Sequence, residues 1–131
     1  MKIAVATQDC ARVDAHFGWA AHFMLYDVTP EGARFLRLVR FRGTLRQDGD
    51  DAKLTAKLRA LRGCRLVLAS AIGVQARARL RRLNVEPVTA LAGESVDAAL
   101  IALRDTLRER PAPWLRRALQ SDRRRAGGGT P

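Results

Sequence analysis

Residues 54–88 read LTAKLRALRGCRLVLASAIGVQARARLRRLNVEPV, and this stretch decides the fold class. Leucines recur at helical spacing up to Gly63, where a left-handed residue can end the helix. Residues 66–69 are wholly apolar, as in strands that are buried on both faces of a sheet. A second helical pattern follows, and residues 85–88 then form a short strand that Pro87 assigns to a sheet edge. Strands that alternate with helices in this way predict βαβ units. The predicted core residues of the two helices are Leu54, Leu58 and Leu61, then Ile72, Ala76, Leu80 and Leu83.

The N-terminal part of the chain predicts three further strands. Residues 3–6 form a short apolar run, and residues 22–28 are rich in aromatic and large apolar side chains. Turn chemistry in residues 29–32, which include Pro and Gly, predicts a hairpin to a strand at residues 33–41. Because the apolar residues of that last run do not alternate cleanly, the hairpin context decides its assignment.

The ends of the helices also have sequence signals. Asp50 or Asp51 can cap the first helix, and Ser95 can cap a third helix that ends before Pro111. Residues 114–120 predict a short closing helix. We therefore expect one α/β domain over residues 1–120, with a mixed sheet covered by helices, and a disordered basic tail over residues 121–131. The predicted core stripe of the third helix is Val96, Leu100, Leu103 and Leu107.

Composition limits the class of protein further. A chain of 131 residues, 47% of them hydrophobic and 28% charged, suits a single globular domain. No apolar run approaches the roughly 18 to 20 residues of a membrane span, and the N-terminal run is too short for a signal peptide. We expect a cytoplasmic protein. The net charge of +11, with 21 of 24 basic residues being Arg, attracts any anion: nucleic acid, a membrane surface, an acidic protein or a polyanionic ligand.

Reactive side chains concentrate in residues 10–22, CARVDAHFGWAAH. A thiol and two imidazoles in one loop suit iron or an iron–sulfur cluster, and Gly18 lets the backbone approach a bulky ligand. On spacing alone, the stronger interpretation is structural: Phe17 and Trp19 anchor the loop in the core, and His16 binds the backbone. The two cysteines of the chain cannot form a four-thiolate site, and a reducing cytosol disfavours a disulfide between them.

Six blocks in order carry a resemblance to a known family. They are KIAVATQD (2–9), VDAHFGWA (13–20), YDVTPEG (26–32), DGDDAKL (48–54), GCRLVLASAIG (63–73) and PAPWLRRAL (111–119). Together they resemble the nitrogenase cofactor-biosynthesis carriers of the NifX type, over the chain up to about Leu119. The resemblance implies a ribonuclease H-like, three-layer α/β arrangement. It also implies a protein that binds an iron–sulfur precursor of the iron-molybdenum cofactor. Such a protein carries the precursor from the enzyme that builds the cluster core to the scaffold that completes the cofactor.

The same resemblance points to individual residues. His16 of the HFG block is the first candidate iron ligand, with Asp14 as a possible acceptor for its other ring nitrogen. Cys10 is the second candidate ligand, Cys64 is expected to be a core residue, and His22 has a minor role. Backbone N–H groups of the turn at residues 70–73 can face an anion. The predicted cofactor-binding set is Cys10, Asp14, His16, Phe17, Gly18, Ser70 and Gly73, with His16 and Cys10 as metal ligands.

A basic nucleic-acid-binding module is the alternative function. The sequence pI of 11.4 gives the electrostatic footprint that such a module needs, but the chain contains no recognised nucleic-acid motif. The resemblance implies assembly proteins of the nitrogenase pathway as partners, and without such a motif we do not expect nucleic acid among them. Metal-dependent phosphodiester cleavage needs several clustered carboxylates on core strands, and the predicted strands contain only Asp27. We accordingly expect no catalysis.

Overall fold

The structure is a computed structural model that describes residues 1–41, 51–108 and 113. Its strands are β1 (Lys2–Thr7), β2 (His22–Thr29), β3 (Gly32–Arg40), β4 (Leu66–Leu68) and β5 (Glu86–Val88). Its helices are α1 (Asp51–Ala60), α2 (Val74–Arg82) and α3 (Val96–Arg108), and a 3-10 turn spans Phe17–Trp19. The predicted closing helix, the predicted tail and most of the loop before α1 lie outside the described residues.

All five strands form one sheet in the order β3-β2-β1-β4-β5. The pairs β1–β2 and β2–β3 are antiparallel, whereas β4 is parallel to β1 and β5 is parallel to β4. The predicted mixed sheet and the predicted hairpin are therefore confirmed. β5 lies at an edge, as Pro87 indicated.

Each face of the sheet has its own core. On one face, Ile3 and Val5 of β1 pack in a cluster with Leu100 and Leu103 of α3. On the other face, a second cluster joins β1, β2 and β4 to α1 and α2. Helices thus cover both faces, which buries the central strand β1 completely from Ile3 to Thr7. The side chains that the second cluster takes from β1 and α2 are Ala4, Ala6, Ala76 and Leu80.

A bulge explains why β3 lacks a clean alternation. Its pairing with β2 shifts register, because Leu25 pairs with Arg37 whereas Tyr26 pairs with Phe35. Leu36 is therefore the extra residue, and the side chains on either side of it change faces. Phe35 consequently contacts Tyr26, with ring centroids 5.5 Å apart.

Two of the helix ends follow their sequence signals, and the predicted cap at Asp50 lies outside the described residues. Gly63 has a φ of +84° just after α1, as the predicted left-handed residue should, and Ser95 Oγ accepts a hydrogen bond of 3.0 Å from the N–H of Ala98. The assignment of Leu83 to the buried face of α2 was wrong, since Leu83 follows the helix with 43% of its surface exposed. Ile72 precedes the helix but packs against the same core as Ala76 and Leu80. Within the described residues, no helix combines the length and the apolar composition that a membrane span requires.

Candidate functional site

A loop over residues 8–21 crosses the end of the sheet where β1 and β4 finish. The N–H of Phe17 donates a 2.9 Å hydrogen bond to the carbonyl of Ala71, which ties this loop to the turn that follows β4. Ligands of α/β proteins bind outside the carboxyl ends of parallel strands. We call residues 8–21 and 70–73 the loop edge.

Asp14 holds the start of the loop edge. Its Oδ1 atom accepts a 2.8 Å hydrogen bond from the N–H of Gln8 and lies 3.2 Å from Oγ1 of Thr7. The ring nitrogen of His16 that forms a hydrogen bond contacts Gly18 instead. In this conformation the hydrogen bonds of Asp14 go to the backbone of Gln8 and to the hydroxyl of Thr7, so its suggested support of His16 stays a prediction.

Asp9 organises the next turn around a left-handed residue. Its Oδ1 atom accepts hydrogen bonds from the N–H groups of Ala11 (2.8 Å) and Arg12 (2.9 Å), and these bonds lower the pKa of the Asp9 carboxyl. Cys10, between them, has a φ of +59°. Its N–H donates to Oγ1 of Thr7 at 3.0 Å. Side-chain acceptors thus hold a non-glycine residue in a conformation that costs energy.

His16 caps the 3-10 turn. Its Nδ1 atom accepts a 3.1 Å hydrogen bond from the N–H of Gly18, and its ring stacks on Trp19 with centroids 5.1 Å apart. Burial lowers the pKa of His16, which favours the neutral ring. Because Nδ1 is an acceptor, the neutral ring carries its proton on Nε2. In this rotamer His16 therefore presents a hydrogen-bond donor, and not a lone pair, on its other nitrogen.

Phe17 differs from its neighbours in the HFG block because it belongs to the core. It is fully buried, and its ring lies 5.5 Å from that of Phe23. Trp19, by contrast, is 45% exposed. The prediction that Phe17 contacts a ligand is replaced by its alternative, an anchor that holds the loop on the sheet.

The turn at residues 70–73 brings a helix N-terminus to the same place. The N–H of Ser70 donates a 2.9 Å hydrogen bond to the carbonyl of Ala15, and an isolated bridge pairs His16 with Ala71. Gly73 is the N-cap of α2, and no side chain in the described ranges accepts a hydrogen bond from the first turn of this helix. Uncapped N–H groups at a helix N-terminus attract anions. The structure thus brings His16, Ser70 and Gly73 together.

Cys10 has different surroundings from His16. The N–H of Val96 at the start of α3 donates a 2.8 Å hydrogen bond to the carbonyl of Ala11, which places the turn at Cys10 near α3. His16 instead adjoins the turn before α2. Among the residues that the structure describes, no three His, Cys, Asp or Glu side chains come together as a metal site.

The remaining thiol lies in the core just before β4, and the remaining imidazole begins β2. Cys64 is 1% exposed within the core beside α1 and α2, and burial raises its pKa to about 11, so its expected role as a core residue is confirmed. His22 pairs with Thr7 next to the loop edge, and its buried Nδ1 atom has no hydrogen-bond partner among the residues that the structure describes.

The sequence analysis gave no role to Gln8, and it placed Trp19 in the core although Trp19 is 45% exposed. Gln8 closes the loop, since its Nε2 donates to the carbonyl of Trp19 (2.9 Å) and its Oε1 accepts from the N–H of Ala21 (2.8 Å). Trp19 covers the ring of His16. The available signal for Gln8 was its position directly after a buried strand, where polar side chains reach the binding edge of a sheet.

Comparison with known proteins identifies the family of this chain. The family described as dinitrogenase iron-molybdenum cofactor matches residues 1–106. Protein NifX of Herbaspirillum seropedicae is 38% identical over 125 residues, which cover 95% of this chain and 86% of that protein. The FeMo cofactor biosynthesis protein NifB of Bradyrhizobium diazoefficiens is 33% identical over 101 residues, 76% of this chain but 20% of NifB. The crystal structure of PH0822 has the same fold, with a TM-score of 0.62 at 20% identity over 87% of this chain and 97% of PH0822. The chain therefore belongs to the dinitrogenase iron-molybdenum cofactor family, among proteins of the NifX type.

Proposed function

We propose that this protein binds an iron–sulfur precursor of the iron-molybdenum cofactor at the loop edge and carries it between assembly proteins. The NifX and NifB relatives support a role in the biosynthesis of that cofactor. The proposed partners are the enzyme that builds the cluster core and the scaffold that completes the cofactor. The cluster is cargo in this proposal, and the protein itself is not a catalyst.

The observation that carries the proposal is the position of His16 beside the N-terminus of α2. An imidazole is a competent iron ligand, and the uncapped N–H groups after Gly73 offer hydrogen bonds to anionic sulfides. Both features lie on the edge where α/β proteins hold ligands. The net charge of +11 favours approach of a polyanionic cluster to the whole molecule.

The hydrogen bond of His16 to Gly18 suits a carrier. Either ring nitrogen can donate its lone pair to iron only after Nδ1 leaves the N–H of Gly18, since Nε2 otherwise holds the proton. When His16 binds iron, the 3-10 turn therefore loses the hydrogen bond that caps it. This loss weakens the net binding of the cluster. Cys10 is the second proposed ligand, because its left-handed turn stays partly exposed at the same edge. A site with few ligands releases its cargo more readily than a four-thiolate site.

Substitution of His16 by Asn tests the ligand role without removing the cap. An Asn side chain is a favoured N-cap and can accept the N–H of Gly18, but it offers no imidazole. We expect His16→Asn to keep the melting temperature and to weaken anaerobic binding of the purified cluster precursor by at least about tenfold. Pulsed EPR of the loaded wild type should show nitrogen coupling to the cluster, and that coupling should be absent in His16→Asn.

Three results would count against this assignment. Full affinity in His16→Asn moves the ligand role to Cys10, for which Cys10→Ser is the direct test and Cys64→Ser the buried control. Full affinity in both His16→Asn and Cys10→Ser contradicts the proposed site. Tight binding of arbitrary DNA or RNA, with no binding of the cluster, supports the alternative module, and its affinity should then fall steeply with salt.

The finer description of the fold and the cellular location belong to the same proposal. We propose the ribonuclease H-like label, supported by the strand order, by the antiparallel first three strands and by helices on both faces. We propose a cytoplasmic location, which suits a carrier that exchanges a cluster between assembly proteins.

A further inference from the structure

A groove of about 540 Å³ lies between the C-terminal ends of α1 and α2. Its apolar lining consists of Leu58, Leu61, Leu83 and Val85, and its basic lining consists of Arg59, Arg62, Arg79 and Arg82. Thr55 and Gly63 complete it. We call these ten residues the arginine groove.

The arginine groove lies at the opposite end of the parallel strands from the loop edge. Residues 61–63 lead into β4, and residues 83–85 lead into β5. The turn at residues 70–73 leaves β4 at its other end. A molecule that occupies the arginine groove therefore leaves the loop edge open.

Among the residues that the structure describes, the four guanidinium groups of the groove have no counter-charge. No carboxylate from this part of the chain lines the groove, and none of these four arginines forms an ion pair within it. Arg59 lies in the last turn of α1, and Arg79 and Arg82 lie in the last turn of α2, where the helix dipole favours a positive charge. The dipole therefore explains why these three positions are basic. The dipole does not explain the basic residue Arg62, which follows α1. It also does not explain why the arginines surround an apolar floor between the two helices. Like charges that surround one concave surface favour an anion there.

The residues that line the groove indicate which class of anion fits it. Guanidinium groups bind carboxylates in a bidentate manner, and the aliphatic floor takes an apolar side chain. Single-stranded nucleic acid is the poorer match, because its bases stack on aromatic side chains and the described lining of the groove contains none. We propose that the arginine groove is a docking site for an acidic segment of a partner protein in which carboxylates flank an apolar residue. This proposal holds whatever the loop edge binds.

A labelled peptide of repeated Glu-Leu-Glu units is the probe, and its Gln-Leu-Gln counterpart is the uncharged control. We expect the double variant Arg62→Glu, Arg82→Glu to weaken binding of the acidic peptide by about tenfold or more in fluorescence anisotropy. The matched variant Arg40→Glu, Arg108→Glu changes the net charge equally on exposed residues of β3 and α3 and should have less than about a twofold effect. Amide NMR shifts on titration should concentrate at residues 58–63 and 79–85.

Each other outcome overturns the proposal. Equal weakening by both double variants shows general attraction to a basic surface, and shifts centred on residues 8–21 place the peptide at the wrong end. Binding of a labelled thymidine oligonucleotide that depends on Arg62 and Arg82, without peptide binding, assigns the groove to nucleic acid. If the groove double variant does not fold, Arg62→Gln replaces it with the same readouts, and unchanged affinity in that variant overturns the proposal as well.

Discussion

The two ends of β4 use opposite means to make a surface. At the loop edge, side-chain and backbone hydrogen bonds fix an irregular segment. The side chains of Asp14 and Gln8 form several of these bonds with the loop backbone. At the arginine groove, regular helices meet around aliphatic side chains and exposed guanidinium groups. Hydrogen bonds impose position, whereas uncompensated charge imposes attraction that acts over about 10 Å at 0.1 M salt. The hydrogen-bonded surface and the basic surface thus lie at opposite ends of the parallel strands.

The reactivity of the two cysteines is the test with the largest expected effect. Cys10 lies at the loop edge, and Cys64 lies next to the arginine groove. Cys10 is partly exposed at the loop edge, whereas Cys64 is buried next to Gly63 with a pKa raised to about 11. In the native protein, we expect iodoacetamide to label Cys10 at least about a thousandfold faster than Cys64, because Cys64 reacts only through opening of the core. Mass spectrometry of timed samples measures both rates. Comparable rates would show that the core beside α1 opens readily, and urea should make the two rates similar.

Removal of the anchor of the loop edge should have the next largest effect. Phe17→Ala deletes a fully buried aromatic side chain and should lower the free energy of unfolding by about 3 to 5 kcal/mol in urea denaturation. Trp19→Ala is the matched control, since Trp19 is 45% exposed and should cost far less. Equal losses would mean that the stack of Trp19 on His16 holds the loop as firmly as the core does.

Gly63 in the arginine groove offers a test with a smaller expected effect on stability. Gly63 has a φ of +84°, so Gly63→Ala should lower the free energy of unfolding by about 1 kcal/mol or more. Gly32 has no heavy atom within 4 Å of an added Cβ and no positive φ, so Gly32→Ala should be close to neutral. Thermal unfolding of both variants distinguishes backbone conformation from the loss of a glycine as such. A neutral Gly63→Ala contradicts the left-handed end of α1.

Acid stability should reveal the smallest effect. Because N–H groups of Ala11 and Arg12 lower the pKa of Asp9 below its ordinary 3.8, the stability that Asp9 contributes is present above that value. It is lost as the pH falls through the lower pKa of the folded state. We therefore expect Asp9→Asn to show a shallower loss of stability below about pH 5 than the wild type. Chemical denaturation at stepped pH measures this, with Glu31→Gln as an exposed control; identical slopes for Asp9→Asn and the wild type would refute it.

The sequence predicts the regular parts of this molecule well because their patterns are local. Helical spacing identified α1 and α3, and the Ser95 cap identified the start of α3. The loop edge was predicted only as a set of reactive residues. Its hydrogen bonds depend on which backbone groups the fold leaves unpaired, so the partners of Asp14 and Gln8 were not readable from spacing. The core position of Phe17 and the shared surroundings of His16 and Ser70 likewise required the strand order.

The arginine groove was hidden for a related reason. Its basic residues come from two helical repeats that each look like an ordinary solvated face. Only the packing of α1 beside α2 shows that they surround one apolar floor. The exposed position of Leu83, which helical periodicity had assigned to the core, belongs to the same surface.

The extra residue in β3 has a consequence for the behaviour of the protein at high concentration. A long, flat outer strand with Phe35 and Leu38 exposed invites a second molecule to add its own strand. The bulge at Leu36 twists that strand and leaves one residue without a cross-strand neighbour, so a straight ladder cannot continue across it. Arg34, Arg37 and Arg40 add repulsion between approaching copies. One inserted residue, supported by three charges, thus works against fibre-like aggregation.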